Sequence, residues 1–194
     1  LPIYFAVQDP SVIVDFELSS MPQTTKTIGV PFIVICQSPY GKEKEIGRTW
    51  NFTVRQDEPL QYSWPFEEFG SSYFHLDIHG PNGFYRVFKG AAGSLGVSSI
   101  KVGQRTAQKK QELRVKLIGG EKTSFLIQPL FYNTPKTSYL LDTKSEITIP
   151  FVESFGWYDI EIFCNQDPDF YQRYAGHIEN GLASQSDPLM GGLL

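Results

Sequence analysis

Hydrophobic and polar residues alternate with a period of two along much of this chain. Every second residue is apolar in Val12–Leu18, and a similar alternation returns in Thr49–Val54 and Leu113–Leu117. This period is expected of a strand that buries one face and exposes the other. A sustained 3.6-residue spacing is missing from the sequence. The pattern therefore predicts strands, with helices that are short or absent.

The predicted strands fall into two similar sets, separated by turn signals roughly every 8 to 12 residues. The first set covers 2–7, 11–18, 28–36, 49–54, 60–64 and the hairpin 74–90, and the second covers 100–102, 113–117, 124–128, 138–141, 146–149 and the hairpin 158–176. Many short strands at this spacing are typical of a β-sandwich. The predicted fold class is all-β, with two tandem immunoglobulin-like β-sandwich domains of about seven strands each.

The two hairpins are similar in sequence as well as in position. Phe74–Ile78 aligns with Tyr158–Ile162 at an offset of 84 residues, and Phe84–Gly90 aligns with Phe170–Gly176 at an offset of 86. The second hairpin thus has two extra residues in its turn. An even insertion keeps every side chain on its original face. The sequence predicts a tandem duplication.

Small residues interrupt the chain between the two sets of strands. Gly90–Gly96 has no hydrophobic period and has the composition of a flexible linker. We therefore predict a first β-sandwich repeat over 1–92, a Gly/Ala/Ser linker over 93–99, and a second repeat with a C-terminal tail over 100–194.

Composition narrows the class of protein. The chain has 194 residues, 41% of them hydrophobic, and a net charge of −4, which fits a globular protein and argues against nucleic acid as its partner. No apolar run approaches the ~20 residues of a membrane-spanning helix. The first residue is Leu rather than Met, so we expect a processed or shortened chain.

Cys36 and Cys164 fall in different repeats and are predicted to be buried thiols rather than a disulfide.

Residues with catalytic chemistry form no recognised motif. His75 and His79 lie on one predicted strand, about 13 Å apart at strand rise, which is too far for a shared metal ion. Asp77, Asp159 and Glu161 alternate with apolar residues, as on a solvated strand face. The sequence lacks a Gly-x-Ser-x-Gly elbow, a phosphate-binding loop and a Cys-x-x-Cys pair. We therefore predict no catalytic residue, no metal and no cofactor.

Two groups of residues are candidates for binding. A basic cluster past the linker is either a solvated face or a surface for anionic headgroups or a neighbouring domain. It comprises Arg105, Lys109, Lys110, Arg114 and Lys116. The tryptophans are either core residues or part of an aromatic cage for a quaternary ammonium group. They are Trp50, Trp64 and Trp157.

Motifs in the hairpins and the tail resemble a known family. They are His79-Gly-Pro-Asn-Gly-Phe84, Gly156-Trp-Tyr-Asp159, Arg173-Tyr-Ala-Gly-His177 and Ser186-Asp-Pro188. Together they resemble the C-terminal region of bacterial phosphocholine-specific phospholipase C. In that family two copies of a β domain follow a catalytic domain of the alkaline-phosphatase-like phosphoesterase type.

The resemblance implies a non-catalytic accessory region, because the metal and the nucleophile of the family lie in the catalytic domain. Such a region would brace the N-terminal phosphoesterase domain of its parent chain or help it to engage a phospholipid membrane. The family also implies a secreted or periplasmic parent that hydrolyses phosphatidylcholine or sphingomyelin. The candidate headgroup contacts are Trp157, Tyr158, Arg105, Lys109 and Lys110.

The alternative is a free-standing adhesion module that binds carbohydrate or protein. It predicts a groove of ligand size lined by exposed aromatic side chains.

Overall fold

The computed structural model of the chain describes residues 3–8, 10–18, 29–55, 58–92, 100–105, 111–117, 123–132, 138–142, 145–179 and 183–190. For 100–105, 117 and 141 it describes the backbone alone. The regular elements in these ranges are strands and a 3₁₀ turn at Phe66–Glu68. No helix within them is long and apolar enough to span a membrane.

The strands of the described ranges pair in antiparallel fashion throughout. In chain order they are β1 Ile3–Gln8, β2 Ser11–Phe16, β3 Val30–Cys36, β4 Arg48–Val54, β5 Leu60–Pro65, β6 Tyr73–His79, β7 Tyr85–Ala91, β8 Ile100–Arg105, β9 Glu112–Leu117, β10 Ser124–Phe131, β11 Tyr139–Asp142, β12 Glu146–Pro150, β13 Trp157–Cys164 and β14 Asp167–His177.

These strands form one large sheet and two small sheets. The described strands of the large sheet are eight, in the order β11-β10-β13-β14-β7-β6-β3-β4, and the small sheets are β1-β2-β5 and β12-β9-β8. Each half of the chain thus sets a three-stranded sheet against four strands of the large sheet. Four strands facing three is the division found in an immunoglobulin-like sandwich. The predicted all-β sandwich is confirmed.

Burial follows the predicted alternation. In β2, Val12, Val14 and Phe16 are fully buried, and the residues between them are partly exposed. Phe5 of β1 stacks on Phe88 of β7 with ring centroids 4.4 Å apart, so the small and large sheets interlock through aromatic side chains. The buried residues of both halves belong to one hydrophobic cluster.

The two halves share the large sheet because their last strands pair with each other. β7 and β14 run antiparallel, with Tyr85 opposite Ala175 and Val87 opposite Arg173. We call this strand pair the seam. Antiparallel pairing of equivalent strands relates the halves by an approximate two-fold axis. The pairing also satisfies backbone N–H and C=O groups that each half would otherwise present on an open sheet edge.

A cross-strand pair of an aromatic ring and a glycine occurs in both halves. Phe74 lies opposite Gly90, and Tyr158 lies opposite Gly176. A methyl group on Gly90 would come within 2.7 Å of the Phe74 ring, and one on Gly176 within 3.1 Å of the Tyr158 hydroxyl. Each ring therefore occupies the space over its glycine, which explains why both hairpins carry this glycine.

Some predicted boundaries differ from the structure. β10 continues past Gln128 to Phe131 through a β-bulge at Pro129, where a proline is tolerated because the bulge interrupts the hydrogen-bond ladder. The predicted linker, 93–99, lies outside the described residues. Cys36 and Cys164 are free and buried, as predicted.

Candidate functional site

The seam brings polar side chains of both halves together on the outer face of the large sheet, the face turned away from the small sheets. One row across this face runs from Glu161 through Arg173 and Val87 to Asp77. Charged side chains are seldom buried unless they are paired. The partners of these groups therefore decide what the face can do chemically.

Arg173 binds Asp159 with both arms of its guanidinium group. The Nε–Oδ1 distance is 2.9 Å and the Nη2–Oδ2 distance is 2.6 Å. Asp159 is only 4% exposed, and burial raises the pKa of its carboxyl group although the guanidinium opposes the shift. The hydrogen bonds to Asp159 raise the pKa of Arg173, so the guanidinium stays charged. This is the geometry of a strong, oriented ion pair.

Asp77 is the buried carboxylate of the first half. Its oxygens lie 3.1 Å from His75 Nε2 and 3.0 Å from Gln37 Nε2. Burial works against the charged form, but the hydrogen bonds from His75 and Gln37 outweigh it and lower the pKa of Asp77. The predicted solvated strand face was wrong for Asp77 and Asp159, because side chains on adjacent strands cover both carboxylates.

Two equivalent tyrosine rings at the seam each pack against a cationic side chain of the opposite half. The Lys89 ammonium lies 4.7 Å from the Tyr171 ring centroid, and the Arg173 guanidinium lies 5.5 Å from that of Tyr85. The Tyr171 hydroxyl donates to Glu161 at 2.7 Å, and burial together with this carboxylate raises the pKa of Tyr171. The cation–π pairs thus tie the halves across the outer face.

Arg86 ties them on the inner face. It is 4% exposed; Nη1 donates to the Tyr85 and Ala175 carbonyl oxygens, and Nη2 donates to the Tyr158 hydroxyl at 2.8 Å. Its guanidinium carbon lies 4.0 Å from the Phe84 ring centroid. In the described part of the chain no carboxylate lies within ion-pair distance of Arg86. This buried charge is held by carbonyls, a hydroxyl and aromatic faces.

The C-terminal tail crosses the end of the second sandwich beside the seam. Trp157 Nε1 donates to the Gln185 carbonyl at 3.0 Å, and the Tyr132 hydroxyl lies 2.8 Å from both carboxylate oxygens of Asp187. Burial and Asp187 raise the pKa of Tyr132, so the tyrosine remains the donor at neutral pH. The Trp157 ring also packs on His177, with centroids 4.9 Å apart. The tail is therefore anchored at several points.

His177 has the outline of a hydrolytic triad, and its surroundings argue against one. Nδ1 lies 3.2 Å from a Glu179 carboxylate oxygen, and Nε2 lies 3.0 Å from the Ser184 hydroxyl. A general base needs a free lone pair on Nε2. The carbonyl oxygen of Phe155 lies 3.0 Å from the same nitrogen and requires an N–H there. His177 therefore positions the tail and the adjoining turn rather than activating Ser184.

A small pocket opens where the turn of the first hairpin meets the second hairpin. Its volume is about 50 Å³, and its lining includes Asn82, Phe84, Tyr158, His177 and Glu179. This is far below the volume of a typical small-molecule site. Among the described residues, no group of three or more His, Cys, Asp or Glu side chains is arranged to hold a metal ion.

The predicted headgroup contacts are not gathered at one place by the described residues. Trp157 is half-buried, and Tyr158 is 1% exposed with its ring in the core, so Tyr158 has no surface to offer a headgroup. The side chain of Arg105 and all of Lys109 and Lys110 lie outside what the structure describes. In the same basic cluster, Arg114 pairs with Glu146 at 2.6 Å.

The tryptophans do not converge on a common cage. Trp50 and Trp64 pack edge to face in the first half, 5.6 Å between centroids, whereas Trp157 lies at the junction with the tail. Sequence reasoning missed Arg86 and Arg173, the two residues that join the halves. The signal for Arg86 was a charged residue in phase with the apolar face of its strand, between Phe84 and Phe88.

The fold and the seam define an all-β class of protein: a pair of immunoglobulin-like sandwiches fused through one sheet. Comparison with known proteins narrows the class. Residues 9–91 match the family model described as bacterial phospholipase C, C-terminal domain.

Individual relatives agree with that match. A non-hemolytic phospholipase C of Burkholderia pseudomallei is 29% identical over 147 residues, which is 73% of this chain and 21% of the relative. A hemolytic phospholipase C of Pseudomonas aeruginosa is 28% identical over 178 residues, which is 85% of this chain and 23% of the relative. The chain is thus similar to the C-terminal region of bacterial phospholipases C, as its motifs indicated, and it spans about a fifth of the length of these enzymes.

Proposed function

We propose that this chain is the non-catalytic accessory region of a secreted or periplasmic phosphocholine-specific phospholipase C. The parent would hydrolyse the phosphodiester bond of phosphatidylcholine or sphingomyelin in its N-terminal phosphoesterase domain. The accessory region would brace that domain or help it to engage a membrane.

One observation carries the non-catalytic role. Side chains of the motifs 156–159, 173–177 and 186–188 are engaged in contacts at this end of the second sandwich: Asp159 with Arg173, Trp157 with His177, and Asp187 with the neighbouring Tyr132. A reactive group needs an unengaged nucleophile or base. Motif side chains that are already engaged favour support of a neighbouring domain over chemistry.

Two measurements test this proposal. Purified chain, with and without added divalent metal, should show no turnover of a chromogenic phosphocholine ester, and clear turnover that depends on residues of this chain would overturn the non-catalytic role. The coding sequence upstream of Leu1 should contain a phosphoesterase domain in frame. A stop codon directly upstream would favour the free-standing adhesion module instead.

A further inference from the structure

The turn between β12 and β13 presents apolar side chains to solvent. Val152 is 61% exposed and Phe155 is 41% exposed. Single exposed apolar residues are common on protein surfaces, so exposure alone assigns no role. The way in which this turn is held, and its contrast with the first half, set these two residues apart.

The turn is held rigidly from the core side. The buried Ser154 donates its hydroxyl to the Phe151 carbonyl at 3.0 Å, and Phe151 N–H donates to the Gln111 carbonyl at 2.8 Å. His177 Nε2 lies 3.0 Å from the Phe155 carbonyl. The backbone that carries the exposed side chains is therefore fixed. Less conformational entropy would be lost when these side chains bind another surface.

The backbone at Phe155 is also strained. Its φ is +57°, in the left-handed region that bulky side chains rarely adopt. Such a conformation persists only where the surrounding structure imposes it, and it is concentrated at functional positions.

The corresponding turn of the first half has the opposite character. There Phe69 is 2% exposed and packs against Tyr40 and Phe74, with centroids 5.2 and 6.1 Å away. The exposed positions of this turn include the acidic Glu67. The first aromatic residue of each turn, Phe66 or Phe151, is buried in both halves. The aromatic residue before the turn glycine is buried in the first half as Phe69 and exposed in the second as Phe155.

The anchored tail adds apolar side chains at the same end of the second sandwich. The Ser184 hydroxyl lies 3.0 Å from His177 Nε2, and the Gln185 carbonyl accepts a hydrogen bond from Trp157. Farther along the tail, Leu189 is 44% exposed and Met190 is 75% exposed. Trp157, half-buried and two residues after Phe155, is a residue type that favours the boundary between lipid and water.

We propose that this end of the second sandwich inserts its apolar side chains into the surface of a zwitterionic lipid bilayer. We call it the apolar end, and it consists of Val152, Phe155, Trp157, Leu189 and Met190. The proposal rests on the proposed function, in which the parent acts on choline phospholipids.

A bilayer fits the apolar end better than a protein partner. A stable protein interface covers about 800 Å² on each side, whereas a few side chains at the tip of a sandwich can enter a headgroup layer. The exposed carboxylates Glu153 and Glu179 disfavour an anionic surface, so a neutral phosphatidylcholine surface is the matching one.

Co-sedimentation of the chain with phosphatidylcholine vesicles tests the proposal. We expect binding that changes little with salt, because it rests on apolar contact. The double variant Val152→Ser/Phe155→Gly should lower the partition coefficient by roughly tenfold or more. Glycine accepts positive φ, so Phe155→Gly alone should not lower the melting temperature, which separates loss of binding from loss of fold.

The matched control is Ile46→Ser. Ile46 is 67% exposed and lies in the β3–β4 loop. This loop lies beside the first-half turn, because the backbones of Tyr40 and Phe69 form an isolated β-bridge. The antiparallel seam places that turn at the opposite end of the molecule from Val152. This variant should therefore bind vesicles as the unsubstituted chain does.

Three results would overturn the proposal: no binding to phosphatidylcholine vesicles, equal loss of binding in the Ile46 and Val152/Phe155 variants, or binding only to phosphatidylserine-containing vesicles that salt abolishes. Each of these would leave the accessory role intact if the chain is inert and a phosphoesterase domain lies upstream.

Discussion

Buried charges at the seam and on the strands beside it are the central feature at the scale of residues. Asp159 is held by two hydrogen bonds from Arg173, Asp77 by His75 and Gln37, and Arg86 by carbonyls and aromatic rings. An unpaired buried charge would cost several kcal/mol, so each of these groups is stable only with its partners in place. The positions of Asp159, Asp77 and Arg86 are therefore set by these partners.

The pH dependence of Asp77 is a direct consequence. Its folded-state pKa lies below the ordinary value of 3.8, so the unfolded chain binds more protons in the acid range. The stability contributed by Asp77 is therefore fully present above about pH 4 and is lost as pH falls through the lower, folded pKa.

The variant Asp77→Asn measures this contribution. It should reduce the free energy of unfolding by about 1–2 kcal/mol at pH 7. The difference in unfolding free energy from the unsubstituted chain should shrink below about pH 4. Urea unfolding at a series of pH values gives both numbers. His75→Ala should cost less in the Asp77→Asn background than alone, and equal costs in the two backgrounds would refute the coupling.

The seam is the decisive element pair. β7 and β14 are equivalent strands, and each would otherwise end its half-sheet with unpaired backbone groups. Their pairing is reinforced above and below the sheet. Lys89 and Arg173 lie on tyrosine rings of the opposite half on the outer face, and Arg86 bonds to Ala175 and Tyr158 on the inner face.

Replacing Arg86 should weaken the seam. Arg86→Met leaves the Ala175 carbonyl and the Tyr158 hydroxyl without their donor, and we expect a loss of about 2–4 kcal/mol in the free energy of unfolding. Arg86→Lys keeps the charge but not the planar fork, so it should also be destabilised. Arg55→Met, at a surface ion pair with Glu58, is the control and should change stability by less than about 0.5 kcal/mol. Equal effects at the two positions would argue against the role of Arg86.

At the scale of the whole molecule, the two sandwiches share one sheet and one hydrophobic cluster. β1 and β8, at the inner edges of the small sheets, also contact each other. A break at the seam would expose two sheet edges and the buried charges beside them. The halves should therefore depend on each other for stability.

Thermal unfolding tests this dependence. We expect a single transition by calorimetry, with the calorimetric enthalpy equal to the van't Hoff enthalpy. Circular dichroism and tryptophan fluorescence should report the same midpoint. Two separate transitions, or a midpoint that differs between these probes, would mean that the sandwiches unfold independently.

The alternation of apolar residues was sufficient to place the strands. Val12, Val14 and Phe16 are buried in phase, as the period of two requires, and both hairpins form where they were predicted. The family motifs were visible because they are local runs of sequence. Asp77 and Asp159 were misjudged because alternation tells which face a side chain takes and not what covers that face.

The sequence by itself determined the elements of this protein, and it indicated two similar halves and a likeness to the C-terminal region of bacterial phospholipases C, since these depend on local periodicity and short motifs. Only the tertiary structure decided that the halves join through β7 and β14, that Arg86 and Arg173 hold them together, and that the turn carrying Val152 and Phe155 faces outward. Edge pairing and burial arise between residues far apart in the chain, such as Arg86 and Tyr158, and no local pattern records such contacts.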